Sequence, residues 1–230
     1  MQTILDRKPG RALVVAAHSD DEALGCGGTM ARLAALGWDV GVVFMTNGVG
    51  SRVEANFHQI QQRRQAAELA VRTLGAHICQ HFDYPDNAMD SLPLLPICQE
   101  LEAVGREFDP DLVLTHSLAD LNVDHRIVHM ASLTAFRPLP GSRVAGIFCF
   151  EVPSSTGWGS ASAGGFQPAL TVDVTATFTL KLEALNCYEK EMRAAPHPRS
   201  VVAVESLARW RGGLCGVHLG EAFEVQRLRV

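Results

Sequence analysis

A Rossmann-like, doubly wound α/β fold, with a mostly parallel sheet and helices on both faces, is what this sequence predicts. Short valine-rich apolar runs alternate with longer amphipathic stretches along most of the chain, the pattern of βαβ units. Runs such as Leu13-Val14-Val15-Ala16-Ala17 are continuously apolar rather than alternating, as strands covered on both faces are. Two of the runs end directly in polar clusters, at the carboxyl ends where ligands settle in sheets of this kind.

The first strand spans Ala12 to Ala17. Its helix is expected over Gly28 to Leu36, closed by Gly37, and a second helix over Asn56 to Leu74, closed by Gly75, glycine being favoured just beyond a helix C-terminus. Between them lies the second strand, Asp39 to Met45. The alternation continues through a strand His77 to Phe82, a helix Leu94 to Phe108, a strand Leu112 to Thr115, an amphipathic helix Asp124 to Phe136 and a strand Val144 to Phe150. Pro153 and Pro168 then bracket a Ser/Gly-rich segment with Trp158 at its middle, a loop of the length that serves as a lid, a binding loop or a disordered stretch. A strand Ala169 to Val172 and helices Thr179 to Met192 and Ser200 to Trp210 follow. The imperfect alternation of Ala222 to Val230 suits a last strand at the sheet edge.

With 230 residues the chain suits one domain, 1–230, since a single core still grows at this length. A net charge of -5 argues against a nucleic-acid partner held on a broad basic surface. Hydrophobic residues make up 47% of the chain, yet polar ones interrupt them well before the roughly 20-residue stretch that spans a bilayer, so no membrane association is expected. Met1 to Arg11 lacks the apolar core of a secretory signal, which favours the cytoplasm. The six cysteines show no CxxC spacing, so neither a disulfide framework nor a cysteine zinc site is expected. Cys26 lies nearest the polar clusters but has no activating partner in the sequence.

Ala17-His18-Ser19-Asp20-Asp21-Glu22 follows the first strand. His18 and Asp21, three residues apart on one turn, both reach a single cation, and Asp20 between them is free to act on whatever that cation holds. His116, Ser117, Asp120, Asn122, Asp124 and His125 follow the strand Leu112 to Thr115. Clusters at the ends of two strands converge on one crevice, and His18, Asp21 and His125 then offer the His/carboxylate trio of catalytic zinc sites, with a position open for water. Fe2+, Co2+ or Mn2+ suit the same donors, because affinity alone does not select Zn2+. The purely structural alternatives are Ser19 or Asp20 as a helix cap and Asp124 at the positive end of the next helix.

Ala17-His18-Ser19-Asp20-Asp21-Glu22 together with Asn122-Val123-Asp124-His125-Arg126 resembles the PIG-L/LmbE family of zinc-dependent N-deacetylases, whose first motif is AHPDDE and whose second ends in DH. Thr46-Asn47-Gly48, Gln62-Arg63-Arg64 with Ala66-Ala67, and Asp86 in Tyr84-Pro85-Asp86-Asn87 extend the likeness over most of the chain. The resemblance implies that His18, Asp21 and His125 are the zinc ligands, Asp20 the general base and Glu22 a supporting residue. Ser19 stands for the customary proline, at a cost of some local rigidity. Asn122 stands where many members carry a histidine thought to stabilise the oxyanion or protonate the leaving amine. The acid is then expected from His197, whose backbone is restricted by Pro196 and Pro198, or from His116. Asn122 itself still has an amide to offer an oxyanion.

Arg52, after Thr46-Asn47-Gly48, and Arg199, in the Pro/His segment, are placed to grip an anionic substrate, and Asp86 is expected to contact substrate as well. Arg63, Arg64 and Arg126 read as solvated charges. His129 shares a helix face with His125 but reads as packing, since three ligands already complete a site. Gly25-Cys26-Gly27-Gly28 lacks the last glycine of GxGxxG, Met30 standing there, so these glycines are expected to allow close packing rather than cradle a phosphate. Trp158 and Phe166 either stack on a sugar face or pin their loop.

The expected activity is hydrolytic removal of the acetyl group from an N-acetylated amino-sugar conjugate, a sugar nucleotide or soluble glycoside rather than a membrane lipid. The alternatives are a nucleotide-dependent Rossmann enzyme that uses Gly25 to Gly28, and a non-catalytic sugar-binding member of the same fold. A homo-oligomer is compatible with each.

Overall fold

The apolar run after Gly10 becomes the central strand β1 (Arg11–Ala16), and two separate cores share its side chains: Ala12, Val14 and Ala16 pack into one, Leu13 and Val15 into the other. Both faces are covered, which is why the run carries no polar alternation. The structure is a computed structural model and describes residues 9–48, 57–159 and 164–229. With β1 stand β2 (Asp39–Thr46), β3 (His77–Tyr84), β4 (Leu112–His116), β5 (Gly146–Phe150), β6 (Leu170–Asp173) and β7 (Gly220–Leu228), in the order β3-β2-β1-β4-β5-β7-β6. The first five pair in parallel, and β7 runs antiparallel to both of its neighbours.

Helices α1 (Asp21–Ala35), α2 (Phe57–Thr73), α5 (Phe178–Cys187) and α6 (Val201–Gly213) supply one core through residues such as Met30, Val71, Leu185 and Val204. Helices α3 (Leu94–Phe108) and α4 (Val123–Ala135) supply the other through Ile97, Leu101, Val128 and Ala131. The doubly wound α/β class read from the sequence is the one observed. Strand order runs one way from β1 to β3 and the other way from β4 onward, so the crevice at the carboxyl ends of β1 and β4 is the topological switch point. Among the described residues no helix is long and apolar enough to cross a membrane.

Two local expectations are corrected. β7 is no edge strand: it inserts between β5 and β6, and the short β6 takes the edge. α1 begins at Asp21 rather than Gly28, and Gly25-Cys26-Gly27-Gly28 lies inside it as a kink centred on Cys26 (φ -144°, ψ 20°). A Cβ on Gly25 would stand 2.2 Å from the Phe150 ring and one on Gly28 2.8 Å from Val174, so these glycines do permit close packing. At the kink, Glu221 accepts from the N–H groups of Gly28 (2.9 Å) and Thr29 (2.7 Å). Buried Lys181 donates to the Leu24 carbonyl (2.8 Å) and to Glu221 (2.6 Å). The helix terminus that a nucleotide phosphate would need is filled by the chain's own carboxylate, which overturns the phosphate-cradling alternative.

Candidate metal centre

Beyond β1 the chain turns sharply. Asp20 takes φ 116°, a left-handed conformation that costs a residue with a side chain about 1–3 kcal/mol, and α1 starts at the next residue. The turn brings His18 and Asp21 into the crevice, where His125 of α4 meets them. His18 Nδ1 lies 3.2 Å from Asp21 Oδ2 and 3.1 Å from His125 Nε2, and Asp21 Oδ2 lies 3.2 Å from His125 Nε2. The three atoms form a nearly equilateral triangle. Donors around a tetrahedral zinc with bonds of about 2.0–2.1 Å lie about 3.3–3.4 Å apart, so this trio fits a divalent ion. Asp21 Oδ1 is buried without a hydrogen-bond partner, which leaves that carboxylate spare donor capacity.

Each imidazole is held from behind by carboxylate. His18 Nε2 meets Asp124 Oδ2 at 3.0 Å and Asp86 Oδ1 at 3.1 Å, and His125 Nδ1 meets Asp120 Oδ2 at 3.0 Å. Such contacts fix ring orientation and decide which nitrogen faces the trio. Asp124 accepts in turn from the N–H groups of Asn87 (2.6 Å) and Met89 (3.0 Å). Burial alone would lower both imidazoles; Asp124, Asp21 and Asp86 instead hold His18 well above its ordinary value, and Asp21 with Asp120 raises His125 to about 9. Burial would likewise raise Asp21 and Asp120, yet His125 keeps both below the usual carboxylate range. Metal binding at donors of this kind displaces their protons.

The other expected residues make the following contacts. Asp86, expected on substrate, has its carboxylate on His18. Arg199, expected to grip an anion, donates through Nη1 to Asp20 Oδ2 (2.9 Å) and through Nε to Ser154 Oγ (2.7 Å). Asn122 caps α4: its Oδ1 accepts from the Asp124 N–H (2.8 Å) and its Nδ2 spends one of its two N–H donors on Asn87 Oδ1 (2.8 Å). His116 is fully buried, accepts at Nε2 from the Ala17 N–H (2.9 Å) and stacks on His125 with ring centroids 3.9 Å apart. Burial and the neighbouring His125 hold it well below its ordinary value, and Nε2, as acceptor of the Ala17 N–H, carries no proton to deliver. Arg52 lies outside the described residues.

Glu22 accepts from the Asp20 N–H (3.0 Å) and the Tyr188 hydroxyl (2.6 Å), and burial raises it to about 7. His197 is half-buried; its Nδ1 accepts from the Arg199 N–H (3.0 Å), and its ring meets that of Trp158 edge-on at 5.7 Å. His129 donates to the His116 carbonyl (2.8 Å), as packing requires. Phe166 pins its end of the loop beneath the Arg211 guanidinium, 5.3 Å away.

Two members of the cluster have contacts that the sequence reading assigns to neither: Asp120, named there only as one of the polar residues, and Arg63. Asp120 had one signal, its place five residues before His125 among polar neighbours. Arg63 is not a solvated charge: it is 8% exposed, donates to the Ser19 carbonyl, pairs with Glu191, reaches Asp20 Oδ2 at 3.3 Å and lies 5.7 Å over the Tyr188 ring. Its signal was periodicity, because it precedes Ala67, Ala70 and Leu74 on the buried stripe of its helix.

Residues 13–136 match the PIG-L family, described as GlcNAc-PI de-N-acetylase. The uncharacterised deacetylase YaiS of Escherichia coli (strain K12) is 32% identical over 179 residues, which cover 75% of this chain and 87% of that protein. The fold is that of the N,N'-diacetylchitobiose deacetylase of Pyrococcus horikoshii (TM-score 0.77, 23% identity, 96% of this chain and 85% of that one). It is shared equally by GalB, the 4-carboxy-2-hydroxymuconate hydratase of Pseudomonas putida KT2440 (TM-score 0.75, 23% identity, 96% and 98%). The chain belongs to the PIG-L family of N-deacetylases.

Proposed function

We propose that the protein is a zinc-dependent hydrolase that removes the acetyl group from an N-acetylated amino-sugar conjugate, a sugar nucleotide or a soluble glycoside, and releases acetate with a free amine. The triangle of His18 Nδ1, Asp21 Oδ2 and His125 Nε2, with Asp20 next to Asp21 in the chain, carries this reading. His18, Asp21 and His125 would hold the ion, and bound zinc lowers the pKa of a water to roughly 7 and polarises an amide carbonyl. Asp20 takes the proton of the attacking water through its unpartnered Oδ1. With Nδ1 of His197 committed to the Arg199 N–H, the proton of that ring rests on Nε2, from which it passes to the departing nitrogen. Asp120, Asp124 and Asp86 keep the two ligand imidazoles in register, and Glu22 holds the Asp20 backbone.

Acetate release from a panel of N-acetylhexosamine conjugates, run beside metal analysis of the same samples, tests the proposal. About one zinc per chain is expected, with activity lost to a chelator and regained with Zn2+. Asp20→Asn should keep the metal and lose about 10²–10⁴-fold in turnover, the range of one general base, whereas His18→Ala should lose both. Bound metal with no acetate released from any conjugate would favour the non-catalytic binding role. Hydration of an unsaturated acid without acetate release would place the chain with GalB and sink the proposal.

A further inference from the structure

We infer that Arg63 is a positioning residue: with Arg199 it clamps Oδ2 of Asp20 and so fixes Oδ1 as the oxygen that accepts the proton. The inference rests on Asp20 being the general base. A guanidinium on the buried stripe of a helix is expensive unless its partners are well placed, and alanine or leucine fills the neighbouring positions of the same stripe. Arg63 directs its contacts at the turn itself. Nη2 donates to the Ser19 carbonyl and stands 3.3 Å from Asp20 Oδ2, while Nη1 pairs with Glu191. Arg199 reaches the same Oδ2 at 2.9 Å from another segment, its Nε anchored on Ser154.

The backbone is fixed as firmly as the side chain. Glu22 accepts the Asp20 N–H and Arg63 takes the Ser19 carbonyl, both on the single peptide that precedes Asp20 and its φ of 116°. A carboxylate otherwise turns broadly about its last torsion and exchanges its oxygens. Two cations on Oδ2 stop that exchange, and Oδ1 is left buried without a partner. The effect belongs to orientation, in which a displacement of about 1 Å costs about 10²-fold in rate. Tyr188 bonds to Glu22 and lies under Arg63, so one connected set of side chains holds the base.

Arg63→Met, Arg63→Lys, Asp20→Asn and the double variant Arg63→Met/Asp20→Asn test this, with kcat and KM measured on the conjugate the wild type cleaves best, metal content measured per chain, and crystal structures of the wild type and both Arg63 variants. Arg63→Met is expected to lower kcat about 10–100-fold with KM within about twofold and metal content unchanged, Arg63→Lys to recover part of the loss. Adding Arg63→Met to Asp20→Asn should cost nothing further, because both act through one carboxylate. A raised KM at unchanged kcat, or losses that multiply in the double variant, would overturn the clamp. Should the wild type release no acetate from any conjugate, the reading of Asp20 as base fails, and the crystal structures judge the clamp by themselves: an Asp20 carboxylate unmoved in Arg63→Met overturns it, a rotated one supports it. If Arg63→Met does not fold, Arg63→Lys carries both measurements.

Discussion

Asp120 and His125 are joined side chain to side chain, Oδ2 to Nδ1 at 3.0 Å, and the same carboxylate oxygen receives the hydroxyls of Ser155 (2.9 Å) and Thr156 (2.6 Å) from the loop after β5. One carboxylate therefore orients an imidazole of the candidate metal trio and ties a loop to it. Outer partners of this kind are worth about 10–100-fold in metal affinity. Asp120→Ala should weaken zinc binding by that much, as read by titration against a competing chelator. Wild-type affinity in the variant would remove Asp120 from the site.

His197 and His116 separate on their contacts. His197→Ala should lower kcat for acetate release by at least tenfold and leave the melting temperature near that of the wild type, since the ring is half-buried at the rim. His116→Ala should do the reverse in emphasis, lowering the melting temperature by removing a fully buried ring that packs on both His125 and Phe150. Turnover that falls only for His116→Ala would reinstate that histidine as the acid.

The division between what local sequence reveals and what it hides follows from where each partner comes from. The strands were legible because Leu13 to Ala17 and Leu112 to Thr115 carry their burial in their own composition, and His18, Asp21 and His125 because they sit where those strands end. The start of α1 was not. Gly25-Cys26-Gly27-Gly28 reads as a break, and it persists inside a helix only because Lys181 satisfies the Leu24 carbonyl and Glu221 the Gly28 and Thr29 N–H groups, from far along the chain. Arg63 was hidden for the same reason: its partners Ser19, Asp20 and Glu191 are tertiary.

Lys181 and Glu221 form an ion pair with both side chains almost wholly buried, 2.6 Å apart. Removing one member of such a pair strands the other charge and costs about 3–5 kcal/mol. Lys181→Met should destabilise by that amount in denaturant unfolding, and Lys181→Met/Glu221→Gln by less than the single change, because no lone charge remains and the glutamine oxygen still accepts from the α1 backbone. A double variant weaker than Lys181→Met would show that the pair contributes more than mutual charge compensation.

Gly25 connects helix packing to the histidines of the candidate metal centre. A Cβ there would stand 2.2 Å from the Phe150 ring, Phe150 meets His116 edge-on at 4.8 Å, and His116 stacks on His125 at 3.9 Å. Overpacking a filled core by one methyl costs about 1–3 kcal/mol, and here the displaced ring pushes through His116 toward His125. Gly25→Ala should therefore lower both unfolding stability, by about that amount, and zinc affinity. Phe150→Leu in the same chain makes room for the methyl and should restore part of each. Stability that falls while zinc affinity stays at the wild-type value would mean that the His116 ring absorbs the shift and that α1 packing and the metal centre are independent.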